Sequence, residues 1–355
     1  MRSMQITEWG KPLEMRATAT PQPSGSEVLV KVEACGVCHS DIHIWEGFFD
    51  LGNGRKLPIS DRGIELPFTL GHEPAGRVVS VGPDADSSLV GKSYAIYPWF
   101  ECGSCEACNN DLAQACDDPT TIGTRRDGAY SDHVIVPDAK YLIDYSGIDT
   151  DRACTLACSG LTAYSAFKKI QPDRLNGDDT VMIIGAGGVG LAALCIAREL
   201  CEAKIVVADI SSERREAALA LGAEAVCNPA EDSAAARIAE HASAAGSGIA
   251  ASMDFVGLPR TMEFSAAALR KGGLHVQVGL FGGAYSLSLP MITFRMLRFA
   301  GSYVGSLEEF RELVAKVQSG LSLSFPLTTR PLDEAADALE ELRSGQVVGR
   351  IVLKP

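Results

Sequence analysis

The rhythm of apolar and polar positions changes near residue 160. Before it, SEVLVKVEACG (26–36) and AGRVVSVGPDADSSLVGKSYAIY (75–97) alternate apolar and polar residues between glycine and proline punctuation. That pattern predicts half-buried strands and a β-rich first part. After it, TVMIIGAGGVG, KIVVADIS, AVCNP and ASMDFVG are short apolar runs separated by helical patterns such as ERREAALALGA. Strands alternating with helices in this way predict a doubly wound parallel sheet. A second mixed segment follows VQVGLFGG (276–283) and ends in SGQVVGRIVLKP, with no internal repeat and no low-complexity linker. The fold class is therefore α/β.

Composition sharpens this only slightly. With 355 residues, 46% of them hydrophobic and 22% charged, the chain is long enough for two domains that each bury a core. The longest apolar stretch, TVMIIGAGGVGLAALCIA (180–197), contains four glycines in a nucleotide-loop pattern, so no membrane span is needed to explain it. MRSMQITEWG lacks the apolar region of a signal peptide and the Arg-rich pattern of a transit peptide, which predicts a cytoplasmic protein. The net charge of -13 contains no long acidic run and argues against nucleic acid and anionic membranes as partners. Eleven cysteines without a secretory signal point to metal binding or catalysis before disulfides.

GAGGVG (185–190) fits G-x-G-x-x-G and stands between an apolar strand and the helical pattern LAALCIAREL, the context the motif requires. Gly185 would permit the tight turn, Gly187 a close approach of pyrophosphate to the backbone, and Gly190 close packing of helix on strand, with Gly188 between them. The pyrophosphate would then meet a helix N-terminus. Asp209 follows the next strand, where a carboxylate accepts hydrogen bonds from ribose hydroxyls and repels a 2′-phosphate, so NAD is favoured over NADP. Arg214 and Arg215 follow closely and weaken that preference.

CGSCEACNNDLAQAC (102–116) spaces Cys102, Cys105, Cys108 and Cys116 as C-x2-C-x2-C-x7-C. Four thiolates so close in sequence can complete a tetrahedral shell around zinc, which makes the site structural and leaves no position for substrate. The spacing differs from that of bacterial ferredoxins. A catalytic zinc needs three protein ligands and a vacancy. Its candidates are Cys35, Cys38, His39, His43, His72, Glu73, Cys154 and Cys158, and spacing alone chooses neither between Cys35 and Cys38 nor between Cys154 and Cys158.

CGVCHSDIH, GHEPAG, the four-cysteine lobe, CSGLTAY, GAGGVG, VADISSERREAALALGA and the final GRIVL occur in the order found in zinc-dependent alcohol dehydrogenases of the medium-chain dehydrogenase/reductase superfamily, which the chain resembles from roughly residue 5 to its end. The resemblance implies a GroES-like β-barrel catalytic domain (1–159 and 304–355) and a Rossmann domain (160–303), with the active site in the cleft between them. It implies catalytic zinc on Cys38, His72 and Cys158, structural zinc on the lobe, and packing roles for Cys35, Cys154, Cys195, Cys201 and Cys227. Asp41 would orient His72, as any ligating imidazole requires, and Glu73 would lie beside the metal as a transient ligand. Ser40 would take the alcohol's proton and His43 would pass it to water. His39 and Arg350 match pyrophosphate contacts, which suits their charge. Thr162 and Val189 match nicotinamide contacts, and Arg214 matches a cation near the adenosine ribose.

The implied reaction is reversible, NAD-dependent oxidation of a primary or secondary alcohol to an aldehyde or ketone by a homodimer or homotetramer. Cys158, where polyol dehydrogenases of the superfamily more often carry glutamate, makes sorbitol-type substrates less expected. Two alternatives use the same residues differently: a zinc and NAD enzyme with another net reaction, such as a dismutase or lyase, and a non-enzymatic nucleotide- and zinc-binding protein. LHVQVGL and YSLSLP are expected to pair strands across subunits. The segment 44–70 is longer than in compact relatives and could border the cleft. Trp45, Phe48, Phe49 and Trp99 could line a pocket for an alcohol larger than ethanol, aromatic or long aliphatic, or could pack the core. Arg55, Lys56 and Arg62 could meet an acidic group on a substrate, although such side chains ordinarily solvate a surface.

Overall fold

The computed structural model describes residues 1–110, 112–231, 234, 238, 241, 242 and 248–355. In the first part, a seven-stranded sheet centres on the strand Val28–Gly36, where Val30, Val32 and Ala34 are buried while Lys31 and Glu33 face outward. At Cys35 and Gly36 both faces are covered, and this is where the chain enters the functional site. The run expected at 75–97 divides into antiparallel strands Pro74–Val81 and Ser93–Ile96. Gly82, Pro83 and Asp84 lie between them, and proline cannot continue a ladder. A three-stranded sheet built on Arg2–Ile6 and the separate hairpin Phe48–Gly52/Arg55–Pro58 complete this part.

The second part contains the expected doubly wound sheet. Its six parallel strands run, edge to edge, Ala225–Cys227, Lys204–Ala208, Thr180–Ile184, Ile249–Asp254, Leu269–Gln277 and Arg298–Gly301. The direction of winding reverses between Thr180–Ile184 and Ile249–Asp254, so a crevice opens beyond their carboxyl ends. Thr180–Ile184 is buried along its whole length, as a strand with helices on both faces must be. The segment LHVQVGL has no free edge to offer a second subunit, because Leu269–Gln277 pairs on both sides. YSLSLP forms no strand, and its Pro290 lies in the first turn of helix Leu289–Arg295. The edge strand on this side of the sheet is Arg298–Gly301.

The chain then returns to the first sheet. Arg350–Lys354 pairs antiparallel with Val28–Gly36, placing Val352 opposite Gly36 and Leu353 opposite Cys35. This late strand sets Arg350 beside the metal-ligand candidates. Helix Leu307–Gln318 starts with a capping box of Ser306 and Glu309 and buries Phe310, Leu313 and Val314.

Two glycines are dictated by geometry. Gly185 has φ 89°, a conformation that a side chain disfavours. A Cβ on Gly190 would stand 1.8 Å from the Gly185 carbonyl oxygen, so the helix can meet the loop only without a side chain there. Gly190→Ala should cost about 1–3 kcal/mol through overpacking. A urea unfolding curve of the variant checks this, and a midpoint equal to that of the unaltered protein would contradict it.

Candidate active site

Helix His39–Glu46 begins at Cys38, whose backbone N–H donates to the Asp41 carboxylate at 2.9 Å. Asp41 is fully buried, and its two oxygens have further partners: the His72 Nδ1 at 3.0 Å and the Tyr130 hydroxyl, which donates at 2.9 Å. Burial alone lowers the His72 pKa, but the adjoining Asp41 carboxylate outweighs it and raises the value well above the usual one. The carboxylate fixes Nδ1 as the protonated nitrogen, so Nε2 of the neutral ring is free to bind a metal.

Cys158 arrives by a route that sequence periodicity did not indicate. Helix Thr150–Thr155 runs through the π-helical turn Leu156–Gly160 before α-helix resumes at Leu161–Lys169. Such turns insert an extra residue and rotate the side chains that follow. Cys38, His72, Glu73 and Cys158 are all buried, and their ligand atoms lie within 4.8 Å of one another. The Cys158 thiol bonds the Cys38 sulfur and, with His72, holds the Cys38 thiol well below its ordinary pKa. Cys35 and Cys154 lie outside this group, and burial drives both thiols up toward the neutral form. Two sulfurs and one imidazole suit zinc.

Glu73 is not an independent catalytic carboxylate. Its Oε2 pairs with the Arg350 guanidinium, and both side chains are buried. Burial raises its pKa to about 7 against the opposing pull of Arg350. Among the described residues its buried Oε1 has no hydrogen-bond partner, and Glu73 belongs to the ligand cluster, so this is an orphaned acceptor that a cation would satisfy. The pair fits because two glycines leave room: a Cβ on Gly36 would stand 2.0 Å from Glu73 Oε2, and one on Gly188 would stand 2.0 Å from Arg350 Cδ.

Cys102, Cys105, Cys108 and Cys116 form a second cluster within 4.8 Å. The Cys105–Cys108 and Cys102–Cys108 sulfur separations are 3.4 and 3.9 Å. They bracket the edge of about 3.8 Å expected for a tetrahedron with zinc–sulfur bonds of about 2.3 Å. All eleven cysteines are free of disulfides.

One cavity of about 990 Å³ joins the first cluster to the nucleotide loop. Ser40, His43, Cys38, His72 and Cys158 line one end, with Thr162, Gly185, Gly187, Gly188, Val189, Gly190 and Asp209 along the wall of the second sheet. No neighbour occupies the space where a Gly187 Cβ would stand, so that backbone is open to a ligand. The Asp209 carboxylate accepts from the Ala186 and Ser211 backbone N–H groups at 2.6 and 2.8 Å. Each oxygen keeps a lone pair for a further donor.

Three expectations change on contact with this geometry. His39 lines the cavity but does not supply a charge: burial lowers its pKa to about 4, and its ring packs on Phe281 at 4.7 Å. As a neutral ring it offers an N–H donor. Arg214 also lines the cavity, but its guanidinium donates to the Val347 and Gly345 carbonyls at 3.1 and 3.0 Å, tying the second sheet's helix to the chain before Arg350. Of the four candidate pocket rings, Phe49 and Trp99 line the cavity. Trp45 is buried and donates to the Lys11 carbonyl, while Phe48 lies beneath the Lys56 ammonium. The wall also uses Leu51 and Leu57, which only the hairpin register could have identified, and Arg62, the one of the three candidate cations Arg55, Lys56 and Arg62 that lines the cavity.

Residues 24–146 match the alcohol dehydrogenase GroES-like domain family, and residues 188–319 match the zinc-binding dehydrogenase family. Over the full length of both chains, the protein is 37% identical to an NAD-dependent alcohol dehydrogenase of Sulfurisphaera tokodaii and 36% identical to one of Saccharolobus solfataricus. The crystal structure of the alcohol dehydrogenase from Aeropyrum pernix superposes with a TM-score of 0.90 at 28% identity, again over the whole of both chains.

Asp41→Asn would retain the shape but lose the charge that holds His72. Zinc at the first cluster should then bind about 10–100-fold more weakly. Competition with a chromophoric chelator measures this; zinc release identical to that of the unaltered protein would contradict the role given to Asp41.

Proposed function

The chain belongs to the zinc-dependent alcohol dehydrogenases of the medium-chain dehydrogenase/reductase superfamily, and from that premise we propose that it oxidises a primary or secondary alcohol reversibly to an aldehyde or ketone with NAD. The observation that carries this reading is the shared cavity, in which the Cys38–His72–Cys158 group faces the same space as Gly185–Gly190 and Asp209. Cys38, His72 and Cys158 would hold the catalytic zinc and the four-cysteine lobe the structural one. Bound there, zinc supplies Lewis acidity toward the alcohol oxygen and NAD supplies the hydride acceptor.

The chain's own residues do the rest. Asp41 keeps His72 Nε2 presented to the metal, with Tyr130 and the Cys38 N–H holding the carboxylate in turn. Ser40 and His43 stand one helical turn apart on the same helix and both line the cavity, which supports placing the hydroxyl and the imidazole in one proton relay. Thr162 and Val189 would orient the nicotinamide, and Arg350, with the neutral His39 as donor, would meet the pyrophosphate. Asp209 would hold the ribose hydroxyls and disfavour NADP. The division into a catalytic part (1–159 and 304–355) and a nucleotide part (160–303) agrees with the pairing of Arg350–Lys354 in the first sheet. The rings of Phe49 and Trp99 favour a bulky or aromatic alcohol.

We also propose a homo-oligomer. Leu289, Phe294 and Met296 are 75%, 69% and 60% exposed beside the edge strand Arg298–Gly301, an apolar face that association would cover. A monomeric sedimentation coefficient at micromolar concentration would contradict it. Among the described residues, no helix is long and apolar enough to cross a membrane.

Initial rates with NAD and NADP, before and after zinc chelation, test the reaction; silence of the zinc-loaded protein toward short, long, benzylic and secondary alcohols would refute it. His43→Ala should lower kcat for alcohol oxidation about 100-fold. Burial holds the His43 pKa below 6.5, so the neutral, proton-accepting form dominates at pH 7 and is lost as pH falls through that lowered value. The acid limb of kcat should therefore lie below pH 6.5 and disappear in His43→Ala. An unchanged limb would remove His43 from the relay.

A further inference from the structure

The hairpin Phe48–Gly52/Arg55–Pro58 gives the cavity an apolar wall, and the turn that follows it adds one guanidinium. Phe49 stands opposite Leu57 in the hairpin register, and both line the cavity with Leu51 and Trp99. The Phe49 ring lies 5.0 Å from the His43 ring, and the Arg62 guanidinium lies 5.6 Å from the Phe49 centroid. Arg62, half-buried, lines the same cavity. It is also held in place: its backbone N–H bonds the Ile59 carbonyl at 3.0 Å in the turn Ser60–Arg62, which is anchored by buried Ile59 and Ile64.

Among the described residues, no carboxylate forms an ion pair with Arg62, whereas the other central cations of the cavity are engaged. Arg350 is paired with Glu73, and Arg214 with two backbone carbonyls. Arg260, in the first turn of helix Pro259–Ala268, lines the cavity too and among the described residues also lacks an ion pair, but unlike Arg62 it has no contact with the Phe49 wall. The acidic residue nearest in sequence on the cavity wall, Asp50, accepts from the Gly52 N–H at 2.8 Å and packs against Gly282. Neither Arg55 nor Lys56 lines the cavity. An unpaired guanidinium at the end of an apolar wall is a receptor for one negative charge, and its planar fork matches a carboxylate.

We propose that Arg62 is the anion subsite of the alcohol pocket, and that the preferred substrate is an alcohol whose ring-sized apolar body carries a carboxylate at the end remote from the carbinol. This rests on the alcohol dehydrogenase reading above. Phe49 touches both His43 and Arg62, so an apolar body lying on its ring would separate the relay end of the cavity from the anion. A single guanidinium, with Asp50 on the same wall, matches one charge better than the two of a phosphate monoester.

The test compares 4-(hydroxymethyl)benzoate with its methyl ester in NAD reduction by the zinc-loaded protein. The carboxylate should show a kcat/KM at least about tenfold higher, carried mainly by KM and reduced by added salt. The carboxylate-to-ester ratio should collapse to about one in Arg62→Gln and be partly retained in Arg62→Lys. A ratio at or below one in the unaltered protein, or a ratio that Arg62→Gln leaves unchanged, would overturn the subsite. Calorimetric binding of the same two compounds separates the two readings. Without turnover of either alcohol the dehydrogenase reading fails, while tighter binding of the carboxylate that is lost in Arg62→Gln still supports the subsite, and equal binding sinks it.

Discussion

Everything at the metal end of the cavity depends on one buried carboxylate. Asp41 has no solvent access, so each lone pair it spends on a protein donor replaces hydration that folding removed. Its three donors come from different segments: the Cys38 backbone at the helix start, His72 in the following segment, and Tyr130 much later in the chain. Losing one donor would leave a charge undersatisfied in a dry site, so the three segments are held together as a unit. The imidazole's direction and tautomer are consequences of that bonding.

A second buried charge pair couples this unit to the nucleotide loop. Arg350 passes over Gly188 to reach Glu73, and the strand it opens pairs with the one that ends at Gly36. A buried pair of this kind contributes little net stability, because desolvation consumes most of the attraction, but removing either partner leaves an uncompensated charge. It is better understood as a positional device that registers the C-terminal strand against the metal ligands. Arg214 adds a lighter tie between the nucleotide side and the residues just before Arg350.

Much of this could be read from the sequence, for physical reasons. The glycine loop was legible because strand, turn and helix must follow one another locally, and the four-cysteine lobe because its ligands lie within fifteen residues. The choice of Cys38 and Cys158 over Cys35 and Cys154 came from family resemblance, since a π-helical turn and a helix start decide it and neither has a spacing signature. Tyr130 stayed hidden because it lies in a bend far along the chain, and a lone tyrosine there usually signals packing. The charge expected of His39 was read from residue type, whereas burial of the ring lowers its pKa. Segment 44–70 offered three of the four candidate rings without register; the hairpin shows why Phe49 faces the cavity and Phe48 does not.

The central claim is that two separate zinc sites exist and that only one of them serves the reaction. Elemental analysis of purified protein alongside Cys158→Ala tests it most directly. The account predicts two zinc ions per chain in the unaltered protein and one in the variant, with the fold intact and alcohol oxidation lost. A variant that keeps both ions, or that keeps its activity with one, would contradict it.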